Sequence, residues 1–257
     1  MPALRLPDLS VPVPTIAAMP TVACCPVVEL RQYTLRPGQR EVLVELFDRE
    51  LLASQEAVGM RIVGQFRDLD RPDRFVWLRG FADMDSRLAG LTAFYGGPVW
   101  KAHAAAANAT MLDVDDVLLL RPVTPGGGFP VAAGPRSPDP LVTATVYPLA
   151  TADAEAELLD FLHARVDPVL LDAGRRPLAE LRTRTAVNTF PALPIREGEH
   201  AVVRLARYAT AALHANYLHC LSQCRSWRDE LQPALRHHLT GPPQRLRLQP
   251  TPRSHLH

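Results

Sequence analysis

The sequence predicts an α+β fold in which one β-α-β-β-α-β unit occurs twice in tandem. Two observations carry this reading. The first is an internal repeat. FVWLRGFADMDSRLAGLTAFYGGPVWKAH (Phe75–His103) lies over VVRLARYATAALHANYLHCLSQCRSWRDE (Val202–Glu230) at a constant offset of 127, which sets Phe81 over Tyr208 and Trp100 over Trp227. Upstream, an offset of 114 sets Tyr33 over Tyr147 and one of 115 sets Gly59 over Gly174. The change of offset places an insertion of about twelve residues in the second copy, around Ala186–Glu199. The second observation is that both copies show strand and helix periodicities in the same order. Two copies of a sheet-and-helix unit in one chain can pair as the subunits of a symmetric dimer do.

In the first copy VVELRQYTL (Val27–Leu35) alternates as a strand with Glu29, Arg31 and Tyr33 on one face and Val28, Leu30 and Gln32 on the other. Pro37 and Gly38 turn the chain into a helix on which Leu43, Leu46, Phe47 and Leu51 keep a 3.6-residue period, with Gly59 as its stop. Met60–Arg67 and Arg74–Phe81 form a hairpin through the turn DLDRPD. Asp85 or Ser86 caps a short helix, Pro98 opens the helix Pro98–Ala109, and Met111–Leu120 is the fourth strand. The second copy runs through a strand Leu141–Pro148 and a helix Ala152–Ala173 stopped by Gly174. A hairpin of Pro177–Thr185 and His200–Tyr208 follows, then a helix Thr210–Leu239 with a break at Pro233 and a last strand QRLRLQ (Gln244–Gln249). Each unit is ferredoxin-like, an antiparallel sheet with helices on one face.

The domain boundaries follow. Residues 1–26 form a proline-rich extended arm, 27–121 the first domain, 122–140 a Pro/Gly linker, 141–250 the second domain and 251–257 a tail. The 257 residues suffice for two modest cores. A net charge of +1 gives no reason to expect nucleic acid as a partner. Prolines interrupt the N-terminal stretch as a signal peptide, and no apolar run is long enough to span a bilayer. Four cysteines do not make a disulfide scaffold. Adjacent Cys24 and Cys25 are expected to stay unbridged, which fits a cytoplasmic setting.

Several stretches of the first copy resemble the NIPSNAP family: ELRQYTLRPGQ (Glu29–Gln39), ELLASQEAVGMRIVGQF (Glu50–Phe66), FVWLRGFADM (Phe75–Met84), YGGPVWKAH (Tyr95–His103) and LLLRP (Leu118–Pro122). The second copy departs in wording, with TVYPLAT where RQYTLRPG is expected, and is similar to a degenerate repeat. The resemblance implies an intramolecular dimeric α/β barrel, in which two ferredoxin-like sheets face each other. The wider superfamily holds cofactor-free monooxygenases, haem enzymes and lactone isomerases, and the family itself has no agreed reaction. Fold alone assigns no function.

Candidate site residues come from the side chains themselves. Glu29, Arg31 and Tyr33 share a strand face. They either line a pocket, with Arg31 anchoring an anionic oxygen and Tyr33 donating to it, or form a charge-balanced trio between facing sheets. Trp100 and His103 share a helix face. His103 is either an acid/base or a half-exposed histidine beside a core tryptophan. Tyr95 and Asn108 are further substrate-contact candidates. The matching positions of the second copy are Thr145, Tyr147 and Glu230, so chemistry is expected in the first domain. That chemistry is monooxygenase-like or isomerase-like, with no cofactor, on a small hydrophobic molecule. The alternative is a non-catalytic binding or scaffold protein. The chain is expected to be an internal pseudo-dimer open to further homo-oligomerisation.

No metal site is expected: His219, Cys220 and Cys224 lack a fourth ligand and the right spacing. Asp160, His163 and Asp167 read as a solvated, ion-paired helix face, and Gly126–Gly128 as a hinge rather than a phosphate loop.

Overall fold

The computed structural model describes residues 23–125, 128–130, 137 and 139–257. Most of the expected arm, and residues 126, 127, 131–136 and 138 of the expected linker, lie outside the described residues. The first half opens with a two-residue strand β1 (Ala23–Cys24) and then β2 (Val27–Leu35). Helix α1 runs through Arg40–Leu46, a π-helical turn Phe47–Leu51 and Leu52–Glu56. β3 (Arg61–Asp68), β4 (Arg74–Phe81), α2 (Met84–Tyr95), α3 (Pro98–Thr110) and β5 (Met111–Pro122) follow. A short β6 (Phe129–Pro130) pairs with β1.

The second half repeats the order. It comprises β7 (Leu141–Leu149), α4 (Ala152–Phe161, a π turn Leu162–Val166 and Asp167–Asp172), β8 (Pro177–Thr183) and β9 (His200–Tyr208). It ends with α5 (Ala211–Gln223), α6 (a π turn Ser226–Leu231 and Gln232–His237) and β10 (Gln244–Pro250).

Local chemistry explains the helix ends. Asp83, Thr151 and Thr210 each accept a backbone N–H three residues on, capping α2, α4 and α5. Gly59 (φ 86°) and Gly174 (φ 102°) follow the first helix of each half in the left-handed backbone that glycine adopts without a Cβ penalty.

Eight strands close into one antiparallel barrel in the order β10-β3-β4-β2-β5-β8-β9-β7. The halves therefore meet edge to edge, through β5–β8 and β10–β3, and their inner faces meet across a shared apolar core. Val28, Leu30, Leu78 and Leu118 from the first half pack there with Val142, Val203, Leu205 and Leu246 from the second. Strand registers keep the offsets of the sequence. Glu29 faces Arg79 and Arg31 faces Trp77 across β2–β4, while Thr143 faces Ala206 and Thr145 faces Arg204 across β7–β9.

Between the outer sheet face and its helices each half has a second core. That of the first half centres on Phe47, Phe75, Trp77 and Phe94. It also receives the second half's insertion. The strap from Arg184 to Glu199 crosses onto the first half, where Phe190, Leu193 and Ile195 pack against its core. The backbone N–H groups of Arg184 and Arg196 donate to the Leu119 and Val117 carbonyls at 2.9 Å each, and Phe190 stacks on Tyr95.

Glu29, Arg31, Arg79 and Arg87 are fully buried in that layer. Arg31 Nη1 lies 2.9 Å, Arg79 Nη2 2.6 Å and Arg87 Nε 2.7 Å from the Glu29 carboxylate. Arg79 also donates to Gln55, and Arg87 to Asn188 and Thr189 of the strap. Burial raises the Glu29 pKa, but the three guanidiniums outweigh it and hold the carboxyl far below the usual glutamate range.

Some expectations need correction. Cys24 and Cys25 are joined in a vicinal disulfide. Cys25 turns into the left-handed region (φ 81°) between β1 and β2 and packs over Gly80, where a Cβ would collide with it. The expected arm and linker contribute a strand pair, β1–β6, that no periodicity announced. The long second-half helix breaks at Cys224 (ψ 113°) and not at Pro233, which follows the π turn Ser226–Leu231 inside α6. The cap of α2 is Asp83, ahead of the residues expected to serve.

Replacing Glu29 with Gln leaves three buried guanidiniums around a neutral amide. The expected cost is about 3–5 kcal/mol, the range for breaking a buried ion pair, read as a fall in the denaturation midpoint. Because Glu29 has a depressed folded pKa, its contribution is present above the ordinary glutamate pKa and is lost as the pH falls through and below it. The stability gap between the native chain and Glu29→Gln should narrow in acid; a gap constant with pH would contradict a carboxylate held ionised by the three arginines.

Candidate functional site

The structure brings four of the sequence candidates together. Tyr33, Tyr95, Trp100 and Asn108 line one first-half cavity of about 80 Å³, closed on its other sides by Phe47, Trp77, Phe94 and Leu193 of the strap. Tyr95 and Trp100 meet edge to face at 4.9 Å. Arg31 reaches this cavity only through Tyr33, whose hydroxyl accepts from Arg31 Nε at 3.0 Å. Glu29 lies behind it in the arginine cluster. His103 stands apart: its side chain is 31% exposed and its Nε2 is 3.6 Å from Glu50, and it does not line the cavity. Trp100 is half-buried, not a full core residue. A space this small takes a molecule of a few atoms and not a drug-sized ligand.

The larger cavity, about 590 Å³, lies in the second half between β7, β9 and β10 and helices α4, α5 and α6. Its origin is readable by position. Where the first half buries Glu29, Arg31, Arg79 and Arg87, the same offsets give Thr143, Thr145, Ala206 and His214. The scaffold is kept and the filling removed. Trp227, at the position of Trp100, is half-buried and borders the space, as Tyr147 does at the position of Tyr33.

The deep end of this cavity is polar and buried. Tyr147, Arg175 and Arg204 are each less than a tenth exposed. Arg175 Nη1 donates to Asp167 Oδ1 at 3.2 Å, and Arg204 Nη2 donates to both Asp167 oxygens at 2.5 and 2.6 Å. Arg204 Nε is 2.8 Å from Glu180, which also receives His163 at 2.7 Å. Asp160 and His163 are exposed as expected, but His163 pairs with Glu180 and the partly buried Asp167 with two arginines, in place of the mutual pairing expected of them. Arg204 Nη1 has no hydrogen-bond partner.

Burial raises the pKa of Tyr147 and of Tyr208 and pushes Tyr217 up to about 12, so all three hydroxyls keep their protons at neutral pH and can donate. Burial, and next the neighbouring Arg204, lower that of Arg175. At the rim Asp70, from the β3–β4 turn of the first half, pairs with Arg247 at 2.5 Å. His214 packs edge to face on Tyr208 at 4.9 Å. Burial and then Arg247 lower the His214 pKa, against the pull of Asp70, so its imidazole is neutral near pH 7 and can accept a proton.

Sequence reasoning paired Tyr147 and Trp227 with their first-half counterparts but did not weigh Arg175, Arg204, Tyr208 or His214. A signal was present. In VVRLARY (Val202–Tyr208) the period of two puts Arg204, Ala206 and Tyr208 on one strand face, beside Thr143, Thr145 and Tyr147 of the neighbouring strand. Small residues flanking a lone arginine on a helix-covered face mark unfilled space. Among the described residues, no cluster of three or more His, Cys, Asp or Glu side chains is placed to hold a metal.

His214 yields a pH prediction. The unfolded chain binds this proton near the usual imidazole value of about 6.5, whereas the folded chain resists it. Stability relative to a His214→Phe variant should therefore hold above that value and decline as the pH falls through it. Denaturation midpoints of both proteins between neutral and mildly acid pH, at constant salt, give the difference. A difference that grows in favour of the native chain on acidification would contradict the placement.

Residues 28–124 match the NIPSNAP family. No curated protein matches the chain. Among solved structures, a presumed monooxygenase from Fusobacterium nucleatum aligns over 88% of this chain and 93% of its own, with a TM-score of 0.56 at 9% identity. An anthrone oxidase-like protein aligns over 88% and 91%, with a TM-score of 0.55 at 16% identity. A presumed monooxygenase from Lactobacillus acidophilus aligns over 88% and 93%, with a TM-score of 0.51 at 9% identity. At these identities the likeness is one of fold, the α/β barrel that these proteins share with both halves of the chain. Within that barrel, the match to the NIPSNAP family falls on the strands and helices of the first half.

Proposed function

We propose that this chain is a small-molecule-binding protein whose ligand occupies the cavity of the second half, with the first half as its filled structural partner. One observation carries the reading: about 590 Å³ of space lies between sheet and helices, with apolar walls and a few convergent polar groups, while the matching space of the first half is packed. The groups present also suit cofactor-independent isomerase or oxygenase work on an enolisable hydrophobic molecule. His214 accepts a proton, Tyr147 donates a hydrogen bond to the resulting oxyanion, and Arg204 and Arg175 stabilise its charge. The fold likeness to monooxygenase-like barrels supports that class without fixing it.

A second reading keeps the ligand in the first half, with His103, Arg31 and Tyr33 carrying the chemistry and Glu29 orienting Arg31. It is favoured by the convergence of Tyr33, Tyr95, Trp100 and Asn108 on one cavity, and it requires the strap to swing away from Tyr95.

Neutral 2-naphthol, followed by its fluorescence, separates the two. Ala206→Leu places three further carbons in the second-half cavity and should weaken binding by about tenfold or more, equivalent to ~1.4 kcal/mol. Asn108→Leu should leave binding unchanged. Loss of binding in Asn108→Leu with retention in Ala206→Leu would move the site to the first half. No saturable binding at all would remove the small-molecule reading.

A further inference from the structure

We infer that the ligand of the second-half cavity is an aromatic anion, with a carboxylate seated at the deep end against Tyr147, Arg175 and Arg204 and its ring between Tyr208, Tyr217 and Trp227. This rests on the second-half cavity being the binding site and adds the charge and shape of what it holds.

Three observations converge. The first is charge. Arg175, Arg204, Arg228, Arg245 and Arg247 line the cavity against a single acid, Asp70. Asp167 and Glu180 stand behind the deep pair, and exposed Asp229 lies 3.9 Å from Arg228. Asp68 acts on Arg247 as well, so the surrounding acids balance the arginines, while the lining itself stays cationic, with five arginines to one acid. A cleft lined by one sign of charge, with low-dielectric walls, concentrates the opposite charge.

The second is an open valence. Arg204 is 5% exposed, and its Nη1 and Nε make no hydrogen bond, although Nε lies 2.8 Å from Glu180 and Nη2 donates to Asp167. A buried guanidinium N–H left unpaired is costly, and an incoming carboxylate oxygen would satisfy it. Tyr147, Arg175, Arg204 and Arg245 all line this cavity, and Tyr147 in its protonated form adds a donor to it.

The third is shape. Tyr208 and Tyr217 lie 5.5 Å apart between ring centroids, and Trp227 borders the same space. These faces offer edge and offset contacts to a planar ring. The apolar side chains Leu218, Leu221 and Leu235 complete the walls. The first half also buries unpaired guanidinium nitrogens, Arg31 Nη2 and Arg87 Nη2, but no arginine lines its cavity, whose volume of about 80 Å³ has no room for a ring.

Isothermal titration of the full chain with 2-naphthoate and with 2-naphthamide, its neutral near-isostere, tests the assignment. Naphthoate should bind at least about tenfold tighter than naphthamide, a margin that shrinks as salt is raised. Arg204→Met should abolish the preference while retaining naphthamide binding. Since Arg204 also anchors Asp167, Arg245→Gln, which leaves that anchor intact, should reduce the preference severalfold. Equal binding of the two probes would overturn the anion assignment and leave the cavity reading standing. A preference that persists in both variants would also overturn it. Failure of both probes to bind would remove the cavity reading and this inference with it.

Discussion

The structure depends on a single constraint: a four-stranded antiparallel sheet has two open edges, and each half of this chain closes those of the other. β5 pairs with β8 and β10 with β3. Those joints are short, three residue pairs each, yet they remove every free edge from the barrel. Closure also creates the interior, since Leu30 and Leu78 have no apolar partner layer until Val203 and Leu246 stand opposite. The barrel is one cooperative object built from two similar pieces, and everything outside it is free to diverge.

Divergence is what the outer layers show. Both halves lay three helices over the outer sheet face, with a π turn at the same place in the first helix, Phe47–Leu51 and Leu162–Val166. In the first half the layer is filled by aromatic rings, by the Glu29 cluster and by the strap from its neighbour. In the second, Thr143, Thr145 and Ala206 leave the layer hollow, and Asp167 reaches in from α4 to hold two arginines in place. Filling stabilises, and hollowing gives a protein somewhere to bind. A duplicated scaffold can assign the two tasks separately because its halves share a core but not their outer layers.

Much of the architecture was legible in the sequence. Strand alternation, the helix stops at Gly59 and Gly174 and the change of offset near residue 186 each mark an element that the structure contains, because each reflects local backbone chemistry or a periodic face. The convergence of Tyr33, Tyr95, Trp100 and Asn108 was accessible because their elements are regular and close in sequence. The larger cavity was not foreseen, since empty space is a property of what several small residues fail to fill and leaves no motif. His103 drew attention as a histidine on the helix face of Trp100, yet the turn of that helix carries it away from the cavity, beside Glu50. The vicinal disulfide went against expectation because adjacency alone does not reveal that Cys25 takes a left-handed backbone. The strap's destination was hidden as well: an insertion shows its length in a repeat, never the surface on which it lands.

That destination bears on how the chain is made. Residues of the first half leave the ribosome well before Phe190, Leu193 and Ile195, so Tyr95 and the aromatic layer beneath it must wait uncovered while much of the second half is synthesised. β8, the partner of β5, comes just before those residues, and β10, the partner of β3, later still. The nascent first half is therefore a sheet with two bare edges and an unroofed apolar layer. It reaches a state that hides both only once β10 has been made and takes its place beside β3.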